Sequence, residues 1–222
     1  MPRPSRNVDA LLLKAGRELF PHTGAAGLSV RKVAERAGVN LGMFHYHFGT
    51  KDEFVRRLLQ QLYDDMFANL ELAASTGPVV DALRAALCVL GRFVRDHAGL
   101  LRRLLVDALS GEPQAGAFLR ANVHRHLGVV RRLIEDGQRE GVLRRMAPAQ
   151  ALALLAAGVA TPLFVAASLR ESGLAPAAVA RRFAQDVATD AAIAERADCA
   201  LAGLVATPVP PGRPLQPVRP LR

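Results

Sequence analysis

The sequence has 222 residues, half of them apolar and 22% charged, with 29 Lys+Arg against 20 Asp+Glu for a formal charge of +9. That apolar content excludes a globally disordered chain, and an abundance of alanine and leucine leans towards helix. The two cysteines, Cys88 and Cys199, are far apart and exclude a disulfide framework, a Cys-x-x-Cys zinc site and a redox motif; a reducing cytoplasm is the expected location. The first residues offer only Leu11 to Leu13 as an apolar run, so no secretory signal is expected.

The charge is unevenly placed. Residues 1–57 hold 10 Lys+Arg and 5 Asp+Glu, residues 58–206 hold 16 and 15, and residues 207–222 hold 3 and none. A basic front unit on a nearly neutral body suggests that the front unit meets a polyanion.

The expected elements are all helical. Val8, Leu11, Leu12, Ala15 and Leu19 share one face of a first helix, which Pro21, Gly24 and Gly27 should stop. Ser29 can cap a second helix whose inner face is Val30, Val33, Ala34 and Ala37, with Leu28 and Val33 as a hydrophobic staple. Gly38 should end it in a left-handed turn. Asn40 can cap a third helix, with Val39 and Phe44 as its staple. Thr50-Lys51-Asp52-Glu53 reads as a capping box opening a fourth, with Val55, Leu58, Leu59, Leu62 and Met66 on a face.

Longer helices follow. One starts at Gly77-Pro78 and carries Val80, Leu83, Leu87, Leu90 and Val94; a separate short one is expected over Leu100 to Leu109. Leu119, Val123, Leu127, Val130 and Ile134 mark another, ended by Gly141. Pro148 and Pro176 sit near two more helix starts, and a last helix is expected from Asp190 to Val205. The tail 207–222 holds six prolines and reads as basic, disordered and outside the fold.

Two short helices joined at Gly38 have the spacing of a helix-turn-helix, whose second helix enters the major groove. Val39, Phe44 and Phe48 would anchor that second helix, leaving Leu41, Gly42, Met43, His45 and Tyr46 outward. The segments Ala15 to Phe20, Leu28 to Val39 and Gly42 to Lys51 closely resemble the DNA-binding domain of TetR/AcrR-type repressors, continuously over about residues 8–58. The resemblance implies an all-α protein: a three-helix helix-turn-helix domain over 1–53 with a basic arm 1–7, and a helical effector-binding and dimerisation domain over 54–206. It also implies a homodimeric repressor released from double-stranded operator DNA by a small-molecule effector. A helical enzyme, or a ligand-independent DNA-binding protein with a basic front unit, is the alternative.

Carried onto matching positions, the resemblance makes Arg31 a DNA contact, Asn40 the helix-three cap facing a phosphate, and Leu41 and Met43 base-facing, with Gly42 permitting close approach. Lys51 matches a lysine that contacts backbone phosphate. The family usually has Tyr where His45 stands here, and Tyr46 follows, so either ring can reach the phosphate. Leu41 and Met43 suit thymine methyls; hydrogen-bonded readout then falls to Arg31, Tyr46 or His47, with packing as the other role for His47.

The remaining constellations carry less. His45-x-His47 and His124-x-His126 point their rings to different faces of a helix, so no metal site, cofactor or catalytic set is expected. Val80 to Val94, Phe118 to Ile134 and Leu152 to Phe164 can line an effector pocket, in which Asn122 and His126, one turn apart, would orient a polar group. Met146 to Leu169 is free of formal charge and long enough to span a bilayer, yet its alanine content favours burial against protein. That segment and the last helix are the expected dimer interface, with Ala156 and Ala160 inside it.

Overall fold

The computed structural model describes residues 8–206; the basic arm 1–7 and the Pro-rich tail lie outside the described residues. Among the described residues there are nine helices and no strand: α1 Val8–Gly27, α2 Val30–Ala37, α3 Leu41–Phe48, α4 Lys51–Ala74, α5 Val79–Leu109, α6 Pro113–Arg139, α7 Pro148–Ser172, α8 Ala177–Val187 and α9 Asp190–Ala202. The all-α expectation holds. One isolated antiparallel bridge, Leu143 to Val205, ties the loop after α6 to the residues after α9, so α9 ends three residues earlier than its apolar pattern suggests.

Two helices differ from the sequence reading. Pro21 does not stop α1, because Phe20 and Ala25 are buried on either side of it and packing carries the helix past one missing hydrogen bond. The break comes at Gly24, whose φ of 66° is open mainly to glycine. Leu100 to Leu109 is not a separate helix either. It continues α5 through a kink at His97 (φ −125°, ψ 15°), since buried Leu83, Leu87, Leu100 and Leu104 hold both halves to the interior.

Two apolar cores meet along α4. The N-terminal core joins Leu12, Phe20, Val33, Phe44, Phe48, Phe54, Leu58 and Leu62 with Leu100, Leu104 and Ala115 from α5 and α6. The larger core gathers Tyr63, Met66 and Leu70 with α5, α6, α7 and α9. α4 therefore runs unbroken across residues 53 and 54 and gives its first half to one core and its second half to the other. α5 is the central rod, packed against α1, α4, α6, α7 and α9.

A buried carboxylate fastens the two parts. Asp107, 4% exposed near the end of α5, accepts the backbone N–H of Ala25 at 2.8 Å and pairs with Arg103 at 2.8 Å. A Cβ on Gly24 would run into both Arg103 and Asp107. Asp107→Ala leaves a buried N–H without an acceptor and is expected to cost about 2 kcal/mol in urea unfolding. Asp107→Asn keeps an acceptor and should lose roughly half as much; equal losses would show that the hydrogen bond to Ala25 is not the stabilising contact.

Candidate nucleic-acid interface and interior cavity

The front unit is built by caps. Ser29 Oγ accepts Lys32 N–H at 3.4 Å and starts α2. Gly38, at φ 70°, turns the chain, and its N–H and that of Val39 close on the last carbonyls of α2. Asn40 Oδ1 then accepts Met43 N–H at 3.0 Å and starts α3. Thr50 caps α4 through Glu53 N–H at 3.2 Å, but the capping box forms on one side only. The Glu53 carboxylate turns to Arg56 (2.7 and 2.8 Å) and Arg57 (2.6 Å) instead of reaching back, and these guanidiniums pull its pKa down to about 2.

α3 is braced from beneath by aromatic rings. Phe44, Phe48 and Phe54 meet with centroids 4.9 to 5.6 Å apart, and all three are buried. The opposite side of α3 is bare: Gly42 and His45 are exposed, as are Leu41 (41%) and Tyr46 (75%), while Met43 is half-buried. His45 Nδ1 lies 3.0 Å from the Gly49 carbonyl, so that ring is engaged at the end of its own helix. His47 is half-buried, with Nε2 enclosed and unpartnered, and stands edge-on to Tyr46 at 5.2 Å. Arg31 is exposed and pairs with Glu35 at 3.0 Å. Lys51 Nζ donates to the Ala26 carbonyl at 2.8 Å, binding α4 to the end of α1 and leaving two of its N–H groups uncommitted. Of the residues singled out by sequence, Leu41, Gly42, Met43, His45, Tyr46 and His47 thus lie on α3, with His47 turned partly inward; Asn40 is occupied as its cap, and Arg31 and Lys51 stand on α2 and at the start of α4.

A second candidate site lies inside the larger domain. A cavity of about 330 Å³ is walled by apolar side chains of α4, α5, α6 and α7, including Leu59, Leu104, Phe118 and Phe164. Asn122 and His126 both line it, as the sequence suggested. The sequence reading missed the α4 wall and with it Tyr63, whose hydroxyl donates to the Asn122 carbonyl at 2.8 Å and sits 3.3 Å from His126 Nδ1. Its signal was a phenol beside the Leu62–Met66 core stripe, where a buried hydroxyl needs a partner. Burial pushes the Tyr63 hydroxyl pKa up and the His126 pKa down, so both stay uncharged. Ala156 and Ala160, assigned by sequence to a subunit interface, also line this cavity; Ala156 is exposed, and at one-turn spacing with Leu152 and Phe164 they form a stripe of α7.

All-helical build and a capped, aromatic-braced α3 joined to α2 by a tight turn at Gly38 define the class: a helix-turn-helix protein. Residues 12–58 match the family described as bacterial regulatory proteins, tetR family, which places that family's DNA-binding segment over α1 to the start of α4. Its sequence is 35% identical over 107 residues to the HTH-type transcriptional repressor Rv3405c of Mycobacterium tuberculosis, covering 48% of this chain and 51% of that one. It is 26% identical over 136 residues to the repressor NicS of Pseudomonas putida, covering 60% and 64%. The chain thus spans about half to two thirds of the length of these curated relatives. In fold it is similar to the ketosteroid transcriptional regulator KstR2 of Mycobacterium tuberculosis, with a TM-score of 0.63 at 19% identity over 93% of this chain and 98% of that one. It is similar also to PfmR of Thermus thermophilus, with a TM-score of 0.59 at 23% identity over 79% and 96%.

Two histidines give the body a pH dependence of known sign. His97, at the α5 kink, and His126 both have pKa values lowered chiefly by burial. The unfolded chain, with histidines titrating near ~6.5, binds more protons than the folded one just below that pH. Stability should therefore be full above about pH 6.5 and fall as the pH drops towards the folded values. Urea midpoints at about pH 7.5 and 5.5 check this, and His126→Phe should shrink the difference between them.

Proposed function

We propose that the chain is a dimeric transcriptional repressor, working in the cytoplasm, that reads a partly palindromic operator with α3 and leaves it when a small molecule enters the interior cavity. The observation that carries this reading is the bare face of α3 held rigid over Phe44, Phe48 and Phe54 inside a TetR-family domain. Residues 1–53 serve as the DNA-binding unit and 54–206 as the effector and dimerisation unit. Leu41 and Met43 face thymine methyls, and Gly42 lets the helix approach the bases. With His45 engaged by Gly49, Tyr46 is the ring free to reach a phosphate, and His47 props it edge-on. Asn40, Lys51 and Arg31 complete the contact set from the cap, the start of α4 and the flank of α2.

The dimer uses the outward stripe of α7, where Ala153, Leu154, Ala157 and Val165 are exposed, together with α9. Isologous packing of two such stripes would make a four-helix interface and set the spacing of the reading heads. Effector entry then acts through α4 and α5, both of which border the cavity and the front unit. The body helix with membrane-spanning length, Pro148–Ser172, is read as this interface helix and not as a span.

Footprinting on the DNA upstream of the gene tests the proposal directly. Protection of two half-sites on one face, with centres ~34–36 Å apart or a multiple of that, is the expected pattern. Protection with no preferred sequence would overturn it. Arg31→Ala should cost ~1–3 kcal/mol of operator affinity if the guanidinium reads a base, and relax specificity at that position. Lys51→Ala should weaken all sequences alike and reduce the salt slope by about one. Ala157→Arg places an unpaired charge in the interface; sedimentation should show folded monomers that no longer bind the operator.

A further inference from the structure

The polar groups of the cavity are few, and their hydrogen bonds restrict what can bind there. Of all the lining side chains only Tyr63, Asn122 and His126 are polar, and none is Lys, Arg, Asp or Glu. Asn122 is committed: its Nδ2 donates to Phe118 O at 3.0 Å and Gln60 Oε1 at 3.3 Å, while its Oδ1 accepts from Gln60 and Arg125. Tyr63 has one hydroxyl hydrogen, and it goes to the Asn122 carbonyl at 2.8 Å. At 3.3 Å from His126 Nδ1 the same phenol oxygen must therefore accept, which places the imidazole proton on Nδ1. Nε2 is then a bare acceptor, with no donor to it among the described residues.

We propose that the cavity binds an uncharged, largely apolar molecule bearing a hydroxyl group that donates to Nε2 of His126. The inference rests on the reading of this cavity as the effector site. An anion would leave water for a lining that carries no formal charge of its own, and losing its water there is costly. The Arg125 guanidinium backs the polar corner from outside the lining, donating to Asn122 Oδ1 at 3.3 Å and lying 5.2 Å from the Tyr63 ring and 4.1 Å from the Phe67 ring, and its charge is already shared with Asp64 at 3.5 Å. A ligand with acceptors only would leave Nε2 desolvated and unpaired, whereas a hydroxyl satisfies it. The apolar walls of Leu104, Phe118, Leu155, Val159 and Phe164 take the rest of the molecule.

Calorimetric titration of the full chain with decanol, decyl methyl ether and decanoate at about pH 7.5 separates the possibilities. Decanol should bind about tenfold more tightly than the ether, which matches it in apolar length but has no donor. Decanoate should bind at least about a hundredfold more weakly than decanol. In His126→Phe the alcohol should lose its advantage, with the affinity of the ether unchanged or improved. Equal binding of decanol and ether to the unsubstituted chain, tight binding of decanoate, or no binding of any of the three would overturn the proposal. Decanol that binds with the expected pattern yet leaves the operator complex intact would fault the induction reading alone. Operator release by decanoate and not by decanol would leave induction standing and overturn the ligand class.

Discussion

Asp107 lies near the end of the central helix and uses its carboxylate on two partners from different parts of the molecule: the N–H of Ala25, just past the turn in α1, and Arg103 one turn back on α5. A buried carboxylate is tolerated only where its oxygens are satisfied, so the position of α1 relative to α5 is fixed by the need to satisfy them. Gly24 makes this possible twice over. Its left-handed backbone aims the following N–H at the carboxylate, and its missing Cβ leaves room for the Arg103 and Asp107 side chains. The rest of the front unit follows from α1: Leu12 and Phe20 are buried against the aromatic support of α3, and the start of α4 is tied by Lys51 to the Ala26 carbonyl, one residue beyond the N–H that Asp107 accepts.

The same two rods border both sites. α5 contributes Leu100, Leu101, Leu104 and Leu105 to the cavity, and Asp107 stands less than one turn further along. α4 contributes Leu59, Leu62 and Tyr63 to the cavity and, two turns earlier, Phe54 and Val55 to the core beneath α3. A close-packed interior transmits a displaced helix as a rigid shift and does not absorb it locally. Under the proposed mechanism, a ligand that moves either wall has a short path to the reading helix, and the path is made of packed side chains already in contact.

Local chemistry was legible in the sequence, and long-range packing was not. Ser29, Asn40 and Thr50 act as caps where their residue type and spacing demand, and Gly38 has the left-handed backbone expected of it. The apolar periodicity of α4, α5 and α6 located the cores, and that of α5, α6 and α7 three of the cavity walls, with the α4 wall unforeseen. The failures came where a distant partner overrides a local signal. Pro21 is a helix breaker by itself, but buried neighbours on both sides carry α1 past it. Glu53 belongs to a capping box by spacing, but two arginines one turn ahead hold its carboxylate more strongly than a backbone N–H would. Asp107 shows locally only an i,i+4 pairing with Arg103, while the Ala25 N–H that gives it its role lies 82 residues away.

α7 shows how a stretch that resembles a membrane span arises from three separate demands on one helix. Ala151, Leu155, Val159 and Leu163 form the stripe buried against the protein core. Leu152, Ala156, Ala160 and Phe164, one position on, form the wall of the cavity. Ala153, Leu154, Ala157 and Val165 complete the circumference and face outward. A helix with a single buried face alternates apolar and polar residues every three or four positions. Here the second apolar stripe is required by the chamber, so only the third remains to be explained by a surface outside the chain. Alanine at Ala156 and Ala160 is small enough to leave the chamber open while the larger Leu152 and Phe164 stand at the two ends of the stripe. The volume of the cavity is therefore set in part by the same small residues that make the segment's composition ambiguous.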